Sequence, residues 1–436
     1  MSSAKYSRIQ AFFMAQIVYT QGVFHRASYP CPKLKKDGSK VISSFKNKDG
    51  RIMAMAHRAD WKNYPENSIP AMQSCIDMGV DIIETDVQRT SDGVIVISHD
   101  GKLDRMTNGK GRISEMTYKE IQKYNLKQGR GGKGTGTTSY KIPTFIEVLE
   151  LCCGKIMVNI DKGMSYKDEI RDLLEKYDSL DNCYFVDSTP YEEIETWFAQ
   201  LKSAGKKLPM FGCKMKKEDT KVAEDYLKSH ISGGYSPIVE MSFKDDTWAA
   251  GKQEIVSLAR TGMRINGNPI TSSKCGGHKD DETGWAYLIN LGYNVMQTDH
   301  IHEMVGYLNA INNVRSASSR IEAEHFSDAS GVKVTLADKS LNKILYSLHA
   351  GCSVEYKNID FGIGMKKIII NGRAHTGGKI EVYIDGFLAG TVNVPRSISC
   401  RTVTAEIDEV SGIHNISFKI TGKKITNISI DWFSFS

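Results

Sequence analysis

The residues best suited to chemistry in this sequence occur in small groups, and each group follows a short apolar run. His57 and Arg58 follow the run RIMAMA. Glu84 and Asp86 end the run VDIIETD, and His99 follows GVIVIS. Two histidines can serve as base and acid on opposite sides of a reacting phosphorus atom. An arginine beside them can hold phosphate oxygens through its forked donors.

The carboxylates suggest a metal. Glu84 and Asp86 are two positions apart, so on a strand both point to one face. Two hard oxygen ligands on one face suit Mg²⁺ or Ca²⁺, while a salt bridge to Arg58 or Lys162 is the structural alternative. Further polar residues follow later apolar runs in the same way, namely Asn159, Asp161, Lys162, Glu240, Gln297, Thr298 and Asp299. Together these residues indicate metal-assisted cleavage of a phosphodiester.

The elements that must position these groups alternate between strand and helix. Eight apolar runs are each followed by an amphipathic stretch, and they are RIMAMAH, VDIIETD, KIMVNID, CYFVD, LPMFGC, PIVEMS, GMRIN and YNVMQTD. Such alternation predicts a parallel sheet. Eight units over roughly 260 residues match a closed (β/α)₈ TIM barrel, in which chemistry sits at the carboxyl ends of the strands. A doubly wound open sheet is the alternative, but no glycine-rich dinucleotide turn follows the first strand.

An insertion interrupts the alternation at residues 87–153. It contains the strand pattern GVIVISHD and then the glycine-rich segment KQGRGGKGTGTTS. The lysine and glycines of that segment are out of register with a phosphate-binding P-loop. We therefore predict a surface loop at the edge of the site.

The chain of 436 residues is too long for one ordinary core, so we predict two domains. Residues 1–49 form a lead-in that contains a weak signal-like segment, AFFMAQIVYTQGVF, too short to span a membrane. The barrel occupies 50–313 and a linker 314–319. Short alternating strands from 320 to 436 predict an all-β, jelly-roll-like sandwich. A secreted or cell-envelope location is slightly favoured over a cytoplasmic one.

Charge and cysteine content narrow the function classes. The net charge of +6 is modest for the length, and no stretch clusters Lys and Arg into a basic stripe. Nucleic-acid binding is therefore excluded as a main function. The 9 cysteines show no regular spacing, so we expect no disulfide framework and read Cys152 and Cys153 as buried thiols.

Three sequence motifs resemble those of the glycerophosphodiester phosphodiesterase family, and the resemblance extends over residues 51–312. They are AHRADWKNYPENS, GVDIIETDVQRTSDGVIVISHDGKLDRMTNGKG and LINLGYNVMQTDHIHEMVGYL. The resemblance implies a TIM barrel that uses one divalent metal. It implies hydrolysis of glycerophosphodiesters, or of phosphoglycerol polymers, to an alcohol and glycerol 3-phosphate.

Roles can be carried over from this resemblance residue by residue. His57 and His99 would be the acid–base pair, Glu84 and Asp86 metal ligands, and Arg58 a phosphate contact. Glu66, in the PENS motif, would help to orient the site and would contact substrate.

The third strand departs from the family pattern. The family shows E-x-K there, where this chain reads NIDKG. We favour Asp161 as metal ligand and Lys162 as phosphate contact, with Asn159 and Asp161 as the alternative pair. Glu240 at the strand ends would contact substrate. His278, in CGGHKDD, resembles a subgroup variant and could reach the substrate from the loop after strand 7.

The tail resembles family 6 carbohydrate-binding modules. It begins with IEAEHFSDASGV and ends with ISIDWFSFS. The resemblance implies a structural Ca²⁺ held by Glu322, Glu324 and Asp431. Tyr346 is a candidate for stacking on a sugar. The chain reads SISCRT where a tryptophan is usual, so glycan binding and a purely structural sandwich both remain open.

Two other functions remain open beside the hydrolase. A phospholipase D-like lyase, similar to sphingomyelinase D, would use the same residues on the same barrel to make a cyclic phosphate. A catalytically inactive barrel would leave a glycan- or phosphoglycan-binding protein, for which the altered E-x-K word is the support.

Overall fold

The computed structural model describes residues 36–337, 343–362, 364–422 and 427–436. The signal-like segment lies outside these residues. Among the described helices, none combines the length and apolarity needed to cross a membrane.

Eight parallel strands close into a barrel, as the alternation predicts. They are β1 (Met53–His57), β2 (Ile82–Arg89), β4 (Met157–Asp161), β5 (Cys183–Asp187), β6 (Met210–Met215), β7 (Ile238–Met241), β8 (Arg264–Gly267) and β9 (Val295–Thr298). They pair in chain order, and β9 pairs with β1 to close the ring. β3 (Ile95–Ile97) lies outside the ring and runs antiparallel to β2. Each of the eight apolar runs is a barrel strand, so the TIM-barrel prediction is confirmed.

Helices cover the outside of the barrel. The larger ones are α2 (Ile69–Met78), α4 (Phe145–Cys152), α5 (Lys167–Lys176), α6 (Tyr191–Ser203), α7 (Thr220–Gly233), α8 (Gln253–Arg260), α9 (Glu282–Leu291) and α10 (Ile301–Asn312). Their boundaries follow from local chemistry: Ser68 caps the start of α2, and Gly79 ends it at φ 78°. The apolar faces of these helices bury the outer faces of the strands.

A further helix, α1 (Lys36–Lys46), closes the amino-terminal end of the barrel. Phe45 is buried there and stacks on Tyr184, with ring centroids 5.1 Å apart. The buried Arg264 donates hydrogen bonds to the carbonyl oxygens of Phe45, Ser44 and Asn47 near the end of this helix. Residues 36–49 therefore belong to the barrel, whereas the sequence predicted a loosely ordered lead-in up to residue 49.

The insertion after β2 forms a small layer beside the rim of the barrel. It holds β3, the one-turn helix α3 (Tyr118–Ile121) and an apolar core of its own that includes Val96, Leu103, Met106 and Leu126. This core holds in place the segment that carries His99.

The carboxyl-terminal domain is a sandwich of mostly antiparallel strands, as predicted. One sheet has the order β10 (Arg315–Ser316), β15 (Ser353–Asp360), β20 (Ile413–Thr421), β17 (Gly378–Ile384) and β18 (Phe387–Val394), with β12 (Asp328–Ser330) beside β15. The other has the order β19 (Arg401–Val410), β16 (Met365–Ala374), β21 (Ile428–Phe435), β14 (Lys343–Leu348) and β13 (Lys333–Leu336), with β11 (Ile321–Glu322) beside β21. The sheets meet where Gly390 pairs with Ile407. A Cβ atom at Gly390 would lie 2.8 Å from the Ile407 side chain, so this close approach needs glycine.

The predicted linker, residues 314–319, is part of the sandwich. Arg315 and Ser316 form β10 and pair with β15, and Ala317 is fully buried. The two domains touch through α9: Lys343 pairs with the buried Glu282 at 2.6 Å, and Asn290 donates to the carbonyl of Ser327.

The adjacent cysteines Cys152 and Cys153 are in different chemical states. Cys152 is a free, buried thiol, as predicted. Cys153 is disulfide-bonded, so the prediction of a thiol there was wrong.

Candidate active site

The carboxyl ends of the barrel strands bring the predicted polar groups to one rim. The register pairs His57 with Glu84, Glu84 with Asn159 and Asp86 with Asp161, so side chains from three strands meet at two adjacent levels. The chain leaves β1 sharply, with φ of 56° at Arg58 and 63° at Ala59. These left-handed conformations cost free energy in residues with a side chain. The backbone N–H of Arg58 is thereby held on the Glu84 carboxylate at 3.0 Å.

Glu84, Asp86 and Asp161 form an acidic cluster. One ligand oxygen from each lies within 4.8 Å of the others, a spacing at which one cation can bind all three. Burial and the two neighbouring carboxylates raise the pKa of Glu84 well above its usual value. Burial also acts to raise the pKa of Asp86, but the charges of Lys162, His99 and Arg58 outweigh it and hold that pKa below the usual value. Three hard oxygen donors in a partly buried cluster fit a divalent ion such as Mg²⁺ or Ca²⁺.

His57 is held from behind by Asp299. Its Nδ1 atom lies 2.7 Å from Asp299 Oδ1, an oxygen that also accepts the indole N–H of Trp61 at 2.8 Å. Arg130, from the glycine-rich segment of the insertion, reaches the other oxygen of Asp299 and lies over the Trp61 ring. Burial acts to raise the pKa of Asp299, but the bonds from His57 and Trp61 keep it below the usual value. The carboxylate is therefore an acceptor, which leaves His57 Nε2 for substrate.

His99 is held in the same way, by the carboxylate of the next residue. Its Nδ1 lies 2.7 Å from Asp100 Oδ1, and Arg105 donates to both oxygens of Asp100. These bonds from Arg105 and His99 lower the pKa of Asp100. Both histidines are thus oriented by an ionised carboxylate.

Three residues of the PENS motif make structural contacts around the site. Glu66 is buried and accepts from Arg58 at 3.1 Å and from Arg105 at 2.6 Å, so it links the two histidine segments. Asn67 donates to Asp86 at 3.1 Å. Ser68 caps α2. Glu66 does not line the cavity described next, so the structure gives no support to a substrate contact by this residue.

A cavity of about 100 Å³ lies between these groups. Its walls are formed by His57, Arg58, Glu84, Asp86, His99, Asn159, Asp161, Val186, Lys214, Glu240, Asn268, Lys274 and Gln297. Glu240, predicted as a substrate contact, lines it. Two cations at this cavity, Lys214 and Lys274, were missed by the sequence analysis. Lys214 is the charged residue inside the strand FGCKM, which is the signal that could have revealed it.

The third strand, which carries the altered motif, brings both Asn159 and Asp161 to the cavity wall. Asp161 joins the acidic cluster, whereas Asn159 donates to the sulfur of Met55. Lys162 adopts φ 61° and does not line the cavity. Its ammonium contacts Asp86 Oδ1 at 3.0 Å and the carbonyl oxygen of His99. Asp161 therefore belongs to the cluster that could hold a metal, while Lys162 connects Asp86 of that cluster to the His99 segment.

His278 does not reach the cavity. Its ring stacks on Tyr287, with centroids 3.5 Å apart, and burial lowers its pKa. The structure gives no support to a substrate contact by this residue.

The predicted calcium ligands of the sandwich are arranged differently from the barrel cluster. Among the described residues, Glu322, Glu324 and Asp431 do not form a three-ligand cluster of the kind seen at the rim. Glu322 is engaged by both donors of the Arg320 fork. Glu324 is buried, and within the described part of the chain its Oε2 has no hydrogen-bond partner. Burial raises the pKa of Glu324 to about 8.

Fold and site together define a TIM-barrel protein whose rim combines an acidic cluster with two carboxylate-held histidines. Residues 57–229 match the model of the glycerophosphoryl diester phosphodiesterase family. YhdW of Bacillus subtilis (strain 168), assigned to the same class, is 32% identical over 167 residues, which are 67% of its length and 36% of this chain. The chain belongs to the glycerophosphoryl diester phosphodiesterase family.

Two further likenesses concern the barrel. A glycerophosphodiester phosphodiesterase of Caldanaerobacter subterraneus subsp. tengcongensis is 43% identical over 112 residues. The match spans 26% of this chain and 45%, less than half, of that relative. A crystal structure of a glycerophosphoryl diester phosphodiesterase from Parabacteroides distasonis has a TM-score of 0.50 at 22% identity. It covers 63% of this chain and 91% of its own, and it shows the fold.

Residues 322–436 match the model of the family 6 carbohydrate binding modules. The sandwich described above is therefore a domain of that family, as its resemblance implies.

Proposed function

We propose that the barrel hydrolyses glycerophosphodiesters to an alcohol and glycerol 3-phosphate. The observation that carries the proposal is the single small cavity lined by both carboxylate-held histidines and by the three-carboxylate cluster. The names of the curated relatives, which cover the barrel in part, support the same reaction.

The histidines supply the proton transfers. One ring takes a proton from the attacking water as the new P–O bond forms. The other gives a proton to the ester oxygen that leaves with the alcohol. Because Asp299 and Asp100 each accept at Nδ1, both rings present Nε2 to the reacting groups.

The acidic cluster would hold one divalent ion through Glu84, Asp86 and Asp161. When bound, such an ion supplies positive charge that offsets the charge developing on the phosphoryl oxygens. Arg58 lines the cavity and is a candidate phosphate contact, since its buried Nε, 3.7 Å from Asp86 Oδ2, has no hydrogen-bond partner among the described residues. Mg²⁺ and Ca²⁺ both fit this donor set.

Phosphorus NMR of the product tests the reaction type. A hydrolase yields a phosphate monoester from glycerophosphocholine or from a lysophospholipid, whereas a lyase yields a cyclic phosphodiester. We expect the phosphate monoester to be the first product that the spectra show. Accumulation of a cyclic product would replace the hydrolase with the phospholipase D-like lyase. No turnover of either substrate would favour a binding protein.

For the sandwich we propose glycan binding and a structural Ca²⁺ near Glu322, Glu324 and Asp431. The match to family 6 modules supports the first, and the unpartnered buried oxygen of Glu324 supports the second. Addition of Ca²⁺ should raise the melting temperature of the sandwich, and Glu324→Gln should remove that increase. Affinity electrophoresis against soluble polysaccharides tests glycan binding, with loss on Tyr346→Ala as the result expected if this exposed ring stacks on the sugar.

We also propose a secreted or cell-envelope location. The disulfide at Cys153 supports it, because disulfides persist in oxidising compartments. Fractionation of the source cells would test it, and recovery of the protein from cytosol alone would contradict it.

A further inference from the structure

Lys214 is a cation placed inside the barrel end. It lies on β6, in register with Glu240 of β7, and its side chain is 29% exposed. Burial of an ammonium is costly unless an anion compensates it. The position therefore requires anionic partners, which are Glu240 and Asp161.

Both oxygens of Asp161 lie 3.0 Å from the ammonium of Lys214. Asp161 is also a member of the acidic cluster. An ion in that cluster would compete with Lys214 for the same carboxylate oxygens. The ammonium, which Glu240 on the neighbouring strand also attracts, would then be able to contact an anionic group that lies beside the ion in the cavity.

Arg58 and Lys274 also line the cavity, whereas two other cations near the cluster are engaged outside it. Lys162 is bound to Asp86 and to the carbonyl oxygen of His99, outside the cavity wall. Arg105 is committed to Asp100 and Glu66. Lys214 lines the cavity and has a partner that the metal would also claim.

We propose that Lys214, rather than Lys162, is the lysine that contacts the phosphoryl group of the substrate. Lys162 is a positioning residue that joins a metal ligand to the His99 segment. The inference rests on the proposed function and assigns its phosphate-binding ammonium to β6.

The test measures binding of inorganic phosphate by calorimetry, in Mg²⁺, on the full chain. We expect Lys214→Gln to weaken phosphate binding by about ten- to a hundredfold, the loss typical of a hydrogen bond to a charged group. Lys214→Arg should retain most of the affinity because it keeps the charge. Lys155→Gln is the matched control, since Lys155 is a half-buried lysine. Its side-chain ammonium donates only to the carbonyl oxygen of Leu151 among the described residues.

Affinity for Mg²⁺ separates phosphate contact from mere support of Asp161. We expect Mg²⁺ to bind Lys214→Gln as tightly as the unaltered chain or more tightly, since a competitor for Asp161 has been removed. Parallel loss of Mg²⁺ and phosphate binding would overturn the proposal. Phosphate affinity within twofold of the unaltered chain, or no phosphate binding by the unaltered chain, would also overturn it. Lys214-dependent phosphate binding without diester hydrolysis would refute the proposed function and leave this inference standing.

Discussion

At the scale of single residues, the site depends on carboxylates that orient histidines. Asp299 is not a cavity residue, yet it fixes His57 through a 2.7 Å contact to Nδ1. The sequence placed Asp299 at the rim but gave no reason to pair it with a residue more than 240 positions earlier. Such pairings depend on ring closure between β9 and β1, which only the folded barrel supplies.

Asp299→Asn should lower kcat while leaving KM nearly unchanged. The amide presents a different hydrogen-bonding pattern to Nδ1 and no longer favours the reactive tautomer of His57. We expect a loss of about 10²- to 10⁴-fold, the range of general acid–base catalysis. Steady-state kinetics and the pH dependence of kcat measure it.

Asp187→Asn is the matched control for that variant. Asp187 also ends a barrel strand, but it bonds to Thr189 and does not line the cavity. Equal losses in both variants would show a general effect of charge at the rim and would remove the positioning role of Asp299.

The NIDKG motif at the end of β4 was only partly predictable from the sequence. Asp161 was favoured as the metal ligand of this strand, and it lies in the acidic cluster. The ammonium of Lys162 was expected in the site, but the left-handed backbone at that residue turns it toward Asp86 and the His99 segment. Lys214 was missed because its partner Asp161 lies 53 positions away.

At the scale of elements, α1 closes the end of the barrel that does no chemistry. Phe45 fills the base against Tyr184, and Arg264 satisfies the carbonyl groups near the end of the helix. The pattern in the sequence was too short and too polar to distinguish this helix from a lead-in. The contacts with Tyr184 and Arg264 join this helix to residues more than a hundred positions later.

Phe45→Ala should destabilise the barrel by about 3–5 kcal/mol, the usual cost of removing a buried aromatic ring. Catalysis by the folded fraction should be unchanged, because the base lies opposite the rim. Urea unfolding followed by tryptophan fluorescence measures the change. Ser43→Ala, at an exposed position of the same helix, should stay within about 0.5 kcal/mol of the unaltered chain. An equal loss in both variants would contradict the role of Phe45.

The helix α7 holds a histidine that makes the barrel sensitive to acid. His230 is packed beside Tyr226 and Phe211, and burial lowers its pKa to about 4. Above the unfolded pKa of about 6.5 the ring is neutral in both states. As pH falls from there, the unfolded chain binds a proton that the folded chain resists, so stability is lost until about pH 4.

His230→Gln should therefore flatten the pH dependence of stability. Relative to this variant, the unaltered chain should lose stability as pH falls from about 6.5 toward 4, by at most about 1.4 kcal/mol per pH unit. Unfolding in urea at several pH values measures both proteins, with the difference at pH 8 as the baseline. A difference that does not change with pH would contradict the assignment.

At the scale of the whole molecule, two domains share a contact at α9. The division into barrel and sandwich could be predicted, because the sequence changes from alternating strand and helix patterns to strand patterns alone. The contact was not readable, since Glu282 and Lys343 belong to different domains and look like ordinary surface charges in the sequence. In the structure Glu282 is 3% exposed and depends on Lys343 for compensation.

Lys343→Met should loosen the domain contact. It leaves a buried carboxylate without its cation, at a cost of about 1–3 kcal/mol. We expect a lower melting temperature and a wider separation between the unfolding transitions of the two domains in calorimetry. Lys333→Met, at an exposed position on the neighbouring β13, should leave the trace unchanged. Identical traces for both variants would show that the contact contributes nothing to stability.

The most direct test of the account is release of glycerol 3-phosphate by the full chain from glycerophosphodiesters with different alcohols. The assay is run in EDTA and again after Mg²⁺ or Ca²⁺ is restored. The acidic cluster of Glu84, Asp86 and Asp161 predicts that release stops in EDTA and returns with one of these ions. Release that continues undiminished in EDTA, or no release with either ion, would contradict the metal-dependent hydrolase.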